Sequence, residues 1–180
     1  MNSSKLKLAI ATVFAFAATA ATAGQDNSQS IAVSTTVANK CLVAAGATLG
    51  FANYDPVVTH ATADLTGTGT FQVRCTKGST GVSVGLGLGA NPSAGPALPR
   101  HMSAGGTDLL TYHLYQPTGA SLNTCGGTTV WDDNTGKLAV GSAFWDNSSN
   151  KTITVCGTVP QAQDVAAGAY TDTVVIDVTF

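Results

Sequence analysis

Gly81-Val82-Ser83-Val84-Gly85 has the spacing of a nucleophile elbow, the G-x-S-x-G turn that lifts a serine out of a sheet to attack an acyl carbon. That chemistry requires a sharp strand-to-helix turn at the serine. Here Leu86-Gly87-Leu88-Gly89 carries the alternation of a strand onward, so Ser83 is read as an outward strand residue and no enzyme is expected. Gly85–Ala90 has the glycine content of a dinucleotide fingerprint but lacks the βαβ unit that gives the fingerprint its function. His60, His101 and His113 share no H-x-H or H-x-x-x-H spacing, so no pair of them shares one strand or helix face as metal ligands. Asp132-Asp133-Asn134 could offer oxygen ligands to calcium, but these are also the residues tight turns require, and a turn is the reading taken. No cofactor or metal is expected.

The four cysteines carry more information. Cys41, Cys75, Cys125 and Cys156 have no Cys-x-x-Cys spacing, and an even number in an exported chain points to two disulfides with three possible connectivities. Strand phase chooses among them. Cys75 is in phase with Phe71 and Val73, and Cys41 with Val33, Val37 and Val43, so both are expected in the core. Cys156 follows Thr152 and Thr154 onto a solvent face, and Cys125 lies in a polar glycine-rich loop. Cys41–Cys75 and Cys125–Cys156 are therefore the expected pairs, each closing a loop worth roughly 3–4 kcal/mol in the chain-entropy account.

Short alternating segments must position these residues. They are Thr48–Tyr54, Gly69–Thr76, Gly81–Leu88, Leu109–Tyr115, Lys137–Trp145, Lys151–Cys156 and Ala169–Phe180, separated by turns such as Asp55-Pro56 and Asp132–Gly136 and by the Gly89–Pro99 loop. Charged residues are 10% of the chain, all ten acids are Asp, and no segment beyond the leader has a 3.6-residue apolar period. The fold class is all-β, with an immunoglobulin-like β-sandwich as the default at this size.

Lys5 and Lys7, the apolar run Leu8–Ala18 and Ala21-Thr22-Ala23 form a secretory signal peptide over residues 1–23. The run is too short to span a bilayer, so no membrane span is expected after cleavage. The absence of a basic stripe argues against nucleic acid. Trp131, Trp145 and Tyr115 could form a sugar-stacking platform, which keeps a glycan-binding module as an alternative.

Both ends of the mature chain alternate. Val174, Ile176, Val178 and Phe180 are apolar at even positions of an expected terminal strand, and Ile31, Val33, Thr35 and Val37 form a spare stretch with period two. The motifs between them resemble the spore coat protein U domain family. Phe51-Ala52-Asn53-Tyr54-Asp55-Pro56 is similar to its F-G-x-Y-D-P motif, Phe71–Thr76 to its second-cysteine strand, and Leu110–Tyr115 to its L-x-Y-x-L-Y strand. Val130–Asp133 is similar to its W-G-D turn, and Gly157–Gln163 with Gly168–Val174 to its closing G-x-I-P-A-Q and G-x-Y-x-D-T-V pattern. The chain has Cys156 where the family often has the Tyr of V-Y-G.

The family includes subunits of archaic, Csu-type chaperone–usher pili. The resemblance implies an incomplete sandwich lacking its last strand and completed by donor-strand complementation. It divides the chain into an N-terminal donor extension, 24–38, and a pilin domain, 39–180. Ile31, Val33, Thr35 and Val37 would be donor residues, and Val174, Ile176, Val178 and Phe180 the acceptor strand. The implied partners are identical or related pilus subunits, a periplasmic chaperone and an outer-membrane usher, with a role in adhesion or biofilm at the cell surface. The alternative is a stand-alone secreted coat or matrix protein that fills its own cleft.

Overall fold

The computed structural model describes Gly24, residues 29–91 and residues 100–180. The expected signal peptide and most of the Gly89–Pro99 loop lie outside the described residues. The chain divides into two units, Met1–Thr36 and Val37–Phe180. In the first, residues 29–36 form no regular secondary structure, and Ile31 and Val33 are 88% and 91% exposed.

The second unit holds eight strands among the described residues: β1 (Cys41–Gly50), β2 (Leu65–Cys75), β3 (Val82–Leu86), β4 (Arg100–Ser103), β5 (Leu109–Tyr115), β6 (Leu138–Val140), β7 (Lys151–Val159) and β8 (Ile176–Thr179). They form two antiparallel sheets, a five-stranded one in the order β1-β2-β7-β5-β4 and a three-stranded one in the order β6-β3-β8. The only helical turn among the described residues is the 3₁₀ segment Ser142–Phe144. The all-β expectation holds, and the period-two pattern explains why. Phe71, Val73 and Cys75 of β2, Val82, Val84 and Leu86 of β3, and Leu110, Tyr112 and Leu114 of β5 all turn inward and are buried.

Several boundaries differ from the sequence reading. The first strand starts at Cys41 and stops at Gly50, well before Tyr54, because two register shifts around Ala45 let β1 follow β2 from the disulfide onward. Val37 is 77% exposed and belongs to no strand, so the phase that set Val33 and Val37 with Cys41 ends at the cysteine. The stretch Lys137–Trp145 is a strand only over Leu138–Val140. β4 had no place in the sequence reading, since four residues are too short to display a period.

Glycine marks the closest approaches. Gly67 and Gly157 face each other across β2 and β7. A Cβ on either would lie 2.7 Å from the Phe51 ring. The pair is thus a flat bed on which Phe51 rests, edge-on to Tyr112 with ring centroids 6.4 Å apart. Gly157→Ala should drive the ring off this bed and cost about 1–3 kcal/mol, as overpacking does. Urea denaturation would register that loss. An unchanged midpoint would mean that Phe51 has a free alternative position.

Gly85 explains the false elbow. Its Cβ would meet Asp133 Cα at 2.8 Å and the Lys137 side chain at 3.2 Å, so the Asp132–Lys137 turn lies directly over β3. Asp132 Oδ1 closes that turn by accepting from the N–H groups of Asn134 (2.8 Å) and Gly136 (2.7 Å).

Candidate strand-accepting groove

A three-stranded sheet cannot cover a five-stranded one. β8 pairs with β3 on one side and with no strand among the described residues on the other, and β1 likewise has only β2. Between these two edges the interior opens as a groove of about 1280 Å³. Leu86, Leu110, Tyr112, Leu114, Val155 and Val159 reach it from the core. One wall is Val43, Leu49 and Phe51 with the loop to Val57, and the other is Val165 to Asp172 with Val174 and Ile176. Leu49, Phe51, Val174, Ile176 and Val178 pack on the core yet stay partly exposed. Apolar surface left accessible at the rim of a core marks a place where something further packs.

The closing motifs build the walls. Pro160 ends β7 and has no N–H to offer, so β5 loses its ladder partner at Thr111. The Gln163 side chain replaces it: its Oε1 accepts from Thr111 N–H at 2.7 Å and its Nε2 donates to Thr111 O at 3.0 Å. The Tyr54 hydroxyl donates to Pro160 O (2.9 Å) and accepts from Gln163 N–H (3.0 Å), tying the two walls together at one end. Asp55 Oδ1 accepts from the N–H groups of Val57 (3.0 Å) and Val58 (3.1 Å). These backbone donors hold its carboxyl below the usual range.

Asp172 anchors the other wall. It accepts from the Tyr112 hydroxyl at 2.5 Å and from Ala90 N–H at 2.7 Å. Burial, then this bond and the adjacent carboxylate charge, push the Tyr112 phenol well above its ordinary range. Thr171 is bridged to Ser103 of β4 by two 3.0 Å backbone bonds. β8 then pairs with β3 from Leu86↔Ile176 to Ser83↔Thr179. Lys137 reaches across the bare Gly85 to Asp177 at 2.6 Å. That hydrogen bond keeps the Asp177 carboxyl below its ordinary 3.8, and the bond from Lys151 does the same for Asp146.

A carboxyl whose folded pKa is depressed contributes stability above its unfolded pKa and loses it as pH falls through the folded one. For Asp55, Asp146 and Asp177 that window lies below the ordinary 3.8. Thermal unfolding should therefore be level down to about pH 5 and decline below about pH 4, and Asp177→Asn should make the decline shallower.

Arg100 is the residue that sequence reasoning missed. It is fully buried. Its Nε donates to Gly87 O at 2.7 Å, and one Nη donates to Leu86 O (2.7 Å) and Trp131 O (2.8 Å). Desolvation lowers its pKa, opposed by Tyr112 and three aspartates. It joins β4 of the large sheet to β3 of the small one. The only signal was an arginine beside the short run His101-Met102-Ser103.

The sequence-derived residues are now placed. Val174 and Ile176 line the groove and Val178 packs on the core beside it, but the expected strand Ala169–Phe180 shrinks to Ile176–Thr179, so Val174 and Phe180 lie outside it. Phe180 is 52% exposed and is not among the lining residues. Ile31, Val33, Thr35 and Val37 are exposed. Disulfides join Cys41 to Cys75 and Cys125 to Cys156. Cys156 is buried, not on a solvent face, because the 117–127 loop lies against β7 and the Leu122 carbonyl accepts from Thr154 N–H at 3.0 Å. Trp131 and Trp145 are fully buried as core aromatics, so they form no sugar-stacking platform with Tyr115 and the glycan-binding alternative loses its basis. Trp131 instead donates its indole N–H to Val84 O at 2.8 Å.

The geometry defines a class: a two-sheet, all-antiparallel sandwich, disulfide-bonded twice, with one apolar flank open between edge strands. Within that class the chain belongs to the Spore Coat Protein U domain family, whose model matches residues 27–177. "Protein U" of Myxococcus xanthus is 38% identical over 143 residues, covering 76% of this chain and 74% of that protein. Among solved structures, a chain of the CsuC–CsuE chaperone–tip adhesion subunit pre-assembly complex from archaic chaperone–usher Csu pili of Acinetobacter baumannii matches with a TM-score of 0.42 and 23% identity. That match covers 81% of this chain and 40% of the other, so the present chain spans less than half of it. No helix among the described residues is long and apolar enough to cross a membrane.

Proposed function

We propose that this protein is an exported structural subunit that polymerises head to tail, the donor segment within 24–38 of one copy filling the groove of the next. The observation that carries this reading is the open groove beside the unpaired edge of β8, in a chain that also presents Ile31, Val33 and Val37 in solvent at period two. Strand addition to such an edge uses main-chain hydrogen bonds for pairing and alternate side chains for pockets. Donor and acceptor lie on one sequence, so the contact is head to tail, and contacts of that kind, when they do not close into a ring, build filaments. Three apolar knobs at roughly 1.5–3 kcal/mol each, with several backbone bonds at about 0.5–1.5 kcal/mol, can exceed about 10 kcal/mol before the cost of ordering the strand is subtracted.

A subunit with such a groove is an aggregation hazard until it is filled. A periplasmic chaperone that lends a strand, and an outer-membrane usher where the exchange takes place, answer that hazard. The finished filament serves adhesion or biofilm at the cell surface. A second reading, a stand-alone coat or matrix protein, is favoured by the coat function in the family's own description.

The two separate on one experiment. Purified mature protein should run on a gel as heat-resistant ladders at multiples of the subunit mass, and deletion of 24–37 should abolish the ladder while leaving a subunit that only a strand-lending chaperone keeps soluble. A wild-type protein that is a stable, soluble monomer would instead support the coat reading.

A further inference from the structure

The chain is tied to its own body immediately after the last donor residue. The Ala38 carbonyl accepts from Thr76 Oγ1 at 3.1 Å, Asn39 Nδ2 donates to Thr80 O at 3.3 Å, and Lys40 N–H donates to Thr76 Oγ1 at 3.2 Å. Cys41 is then bonded to Cys75. One trans peptide, about 3.8 Å between Cα atoms, is all that separates Val37 from the first anchored residue. A donor strand seated through Val37 therefore draws the donating copy's 76–80 turn against the rim where the strand leaves the groove.

The pairing decides which rim that is. The β1 edge is interrupted by register shifts between Val43 and Ala45 and between Ala45 and Thr48, and bulges of this kind turn an edge away from further pairing. β8 keeps an unbroken register over its four residues. An incoming strand thus pairs with β8, and antiparallel pairing is the more stable arrangement. Antiparallel to β8, the donor ends at Val37 where β8 sets out, at the end lined by Tyr54, Val57, Val165 and Tyr170. Val57 and Val58 stand there side by side, 82% and 73% exposed, on the turn that Asp55 holds through both of their N–H groups. Two neighbouring valines on a braced turn form a firm apolar tip. Lys77 in the 76–80 turn has an aliphatic stem able to cover it.

Resting on the donor-strand reading above, we propose that the Val57–Val58 tip is a body-to-body contact between successive copies of this chain, packed against the 76–80 turn of the copy whose strand fills the groove. The contact makes each joint of the filament stiff, because the connection has no slack.

The test is a cross-link in assembled full-length mature protein carrying Val58→Cys and Lys77→Cys. Within one chain the 11 residues of β2 set its ends roughly 34 Å apart, with the Val58 turn held by the Ala162–His60 bond beyond its start and Lys77 beyond its end, so a short bismaleimide joins the two positions only between copies. After the polymer is dissociated in guanidinium, the double variant should show a covalent ladder and each single variant monomer alone. A heat-resistant polymer of the double variant that yields covalent monomer only would overturn the contact and leave the donor-strand reading standing. Wild-type protein with no heat-resistant polymer would overturn both.

Discussion

Arg100→Leu should cost about 3–5 kcal/mol of folding stability, with a urea midpoint lower by roughly 2 M, read from the fluorescence of the buried Trp131. The side chain is fully buried and supplies the donors for three carbonyls, Gly87 O, Leu86 O and Trp131 O. Removing it leaves those acceptors in a dry interior, at about 1–3 kcal/mol each before relaxation. A leucine restores apolar volume but no donor, so the usual argument that a buried charge can be replaced by packing does not rescue this site. Arg100→Lys should recover only part of the loss, since an ammonium is a point donor and cannot span carbonyls on two segments as the planar fork does. The exposed Arg74 provides the control, and Arg74→Leu should shift the midpoint little. Equal losses at the two arginines would refute the clamp.

Val33→Asp is the second large effect, and it acts on assembly instead of folding. In the proposed filament Val33 sits in an apolar groove, where an unpaired carboxylate costs several kcal/mol against the gain of about 1.5–3 kcal/mol that valine provides. Heat-resistant ladders should disappear. Circular dichroism of the chaperone-held subunit should not change, because Val33 is 91% exposed and residues 29–40 form no strand. Ser34→Asp places the same charge on the opposite face of the donor and should leave the ladder intact. If both variants polymerise equally well, the segment is not the donor. If both fail, the loss reflects charge on the segment and not the filling of pockets.

The variants probe features that differ in how visible they are in the sequence. β2, β3 and β5 could be read because each keeps strict alternation over five residues or more, long enough for one buried face to impose its period on composition. β4 could not, since four residues carry no period and the role of Arg100 depends on carbonyls 13 to 31 positions away. Cys156 misled for a related reason. Its strand phase does point it outward, but a loop from elsewhere in the chain lies over that face. The tryptophans left two readings open, since an aromatic residue has the same composition whether it stacks on a ligand or fills a core, and their burial decides for the core.

Read by itself, the chain already determined the all-β class, the inward faces of its longer strands and the family to which its ordered motifs belong. These depend on local alternation and on residue types at fixed spacing, both written along the backbone. The resemblance also implied an acceptor edge at the terminal strand, but tertiary structure alone decided that this strand spans only Ile176–Thr179, that β1 is the facing edge, and that Gln163, Asp172 and Arg100 hold the groove's surroundings in place. Those features depend on which distant segments become neighbours, and the free energy of such contacts belongs to the pair, not to either residue's place in the sequence.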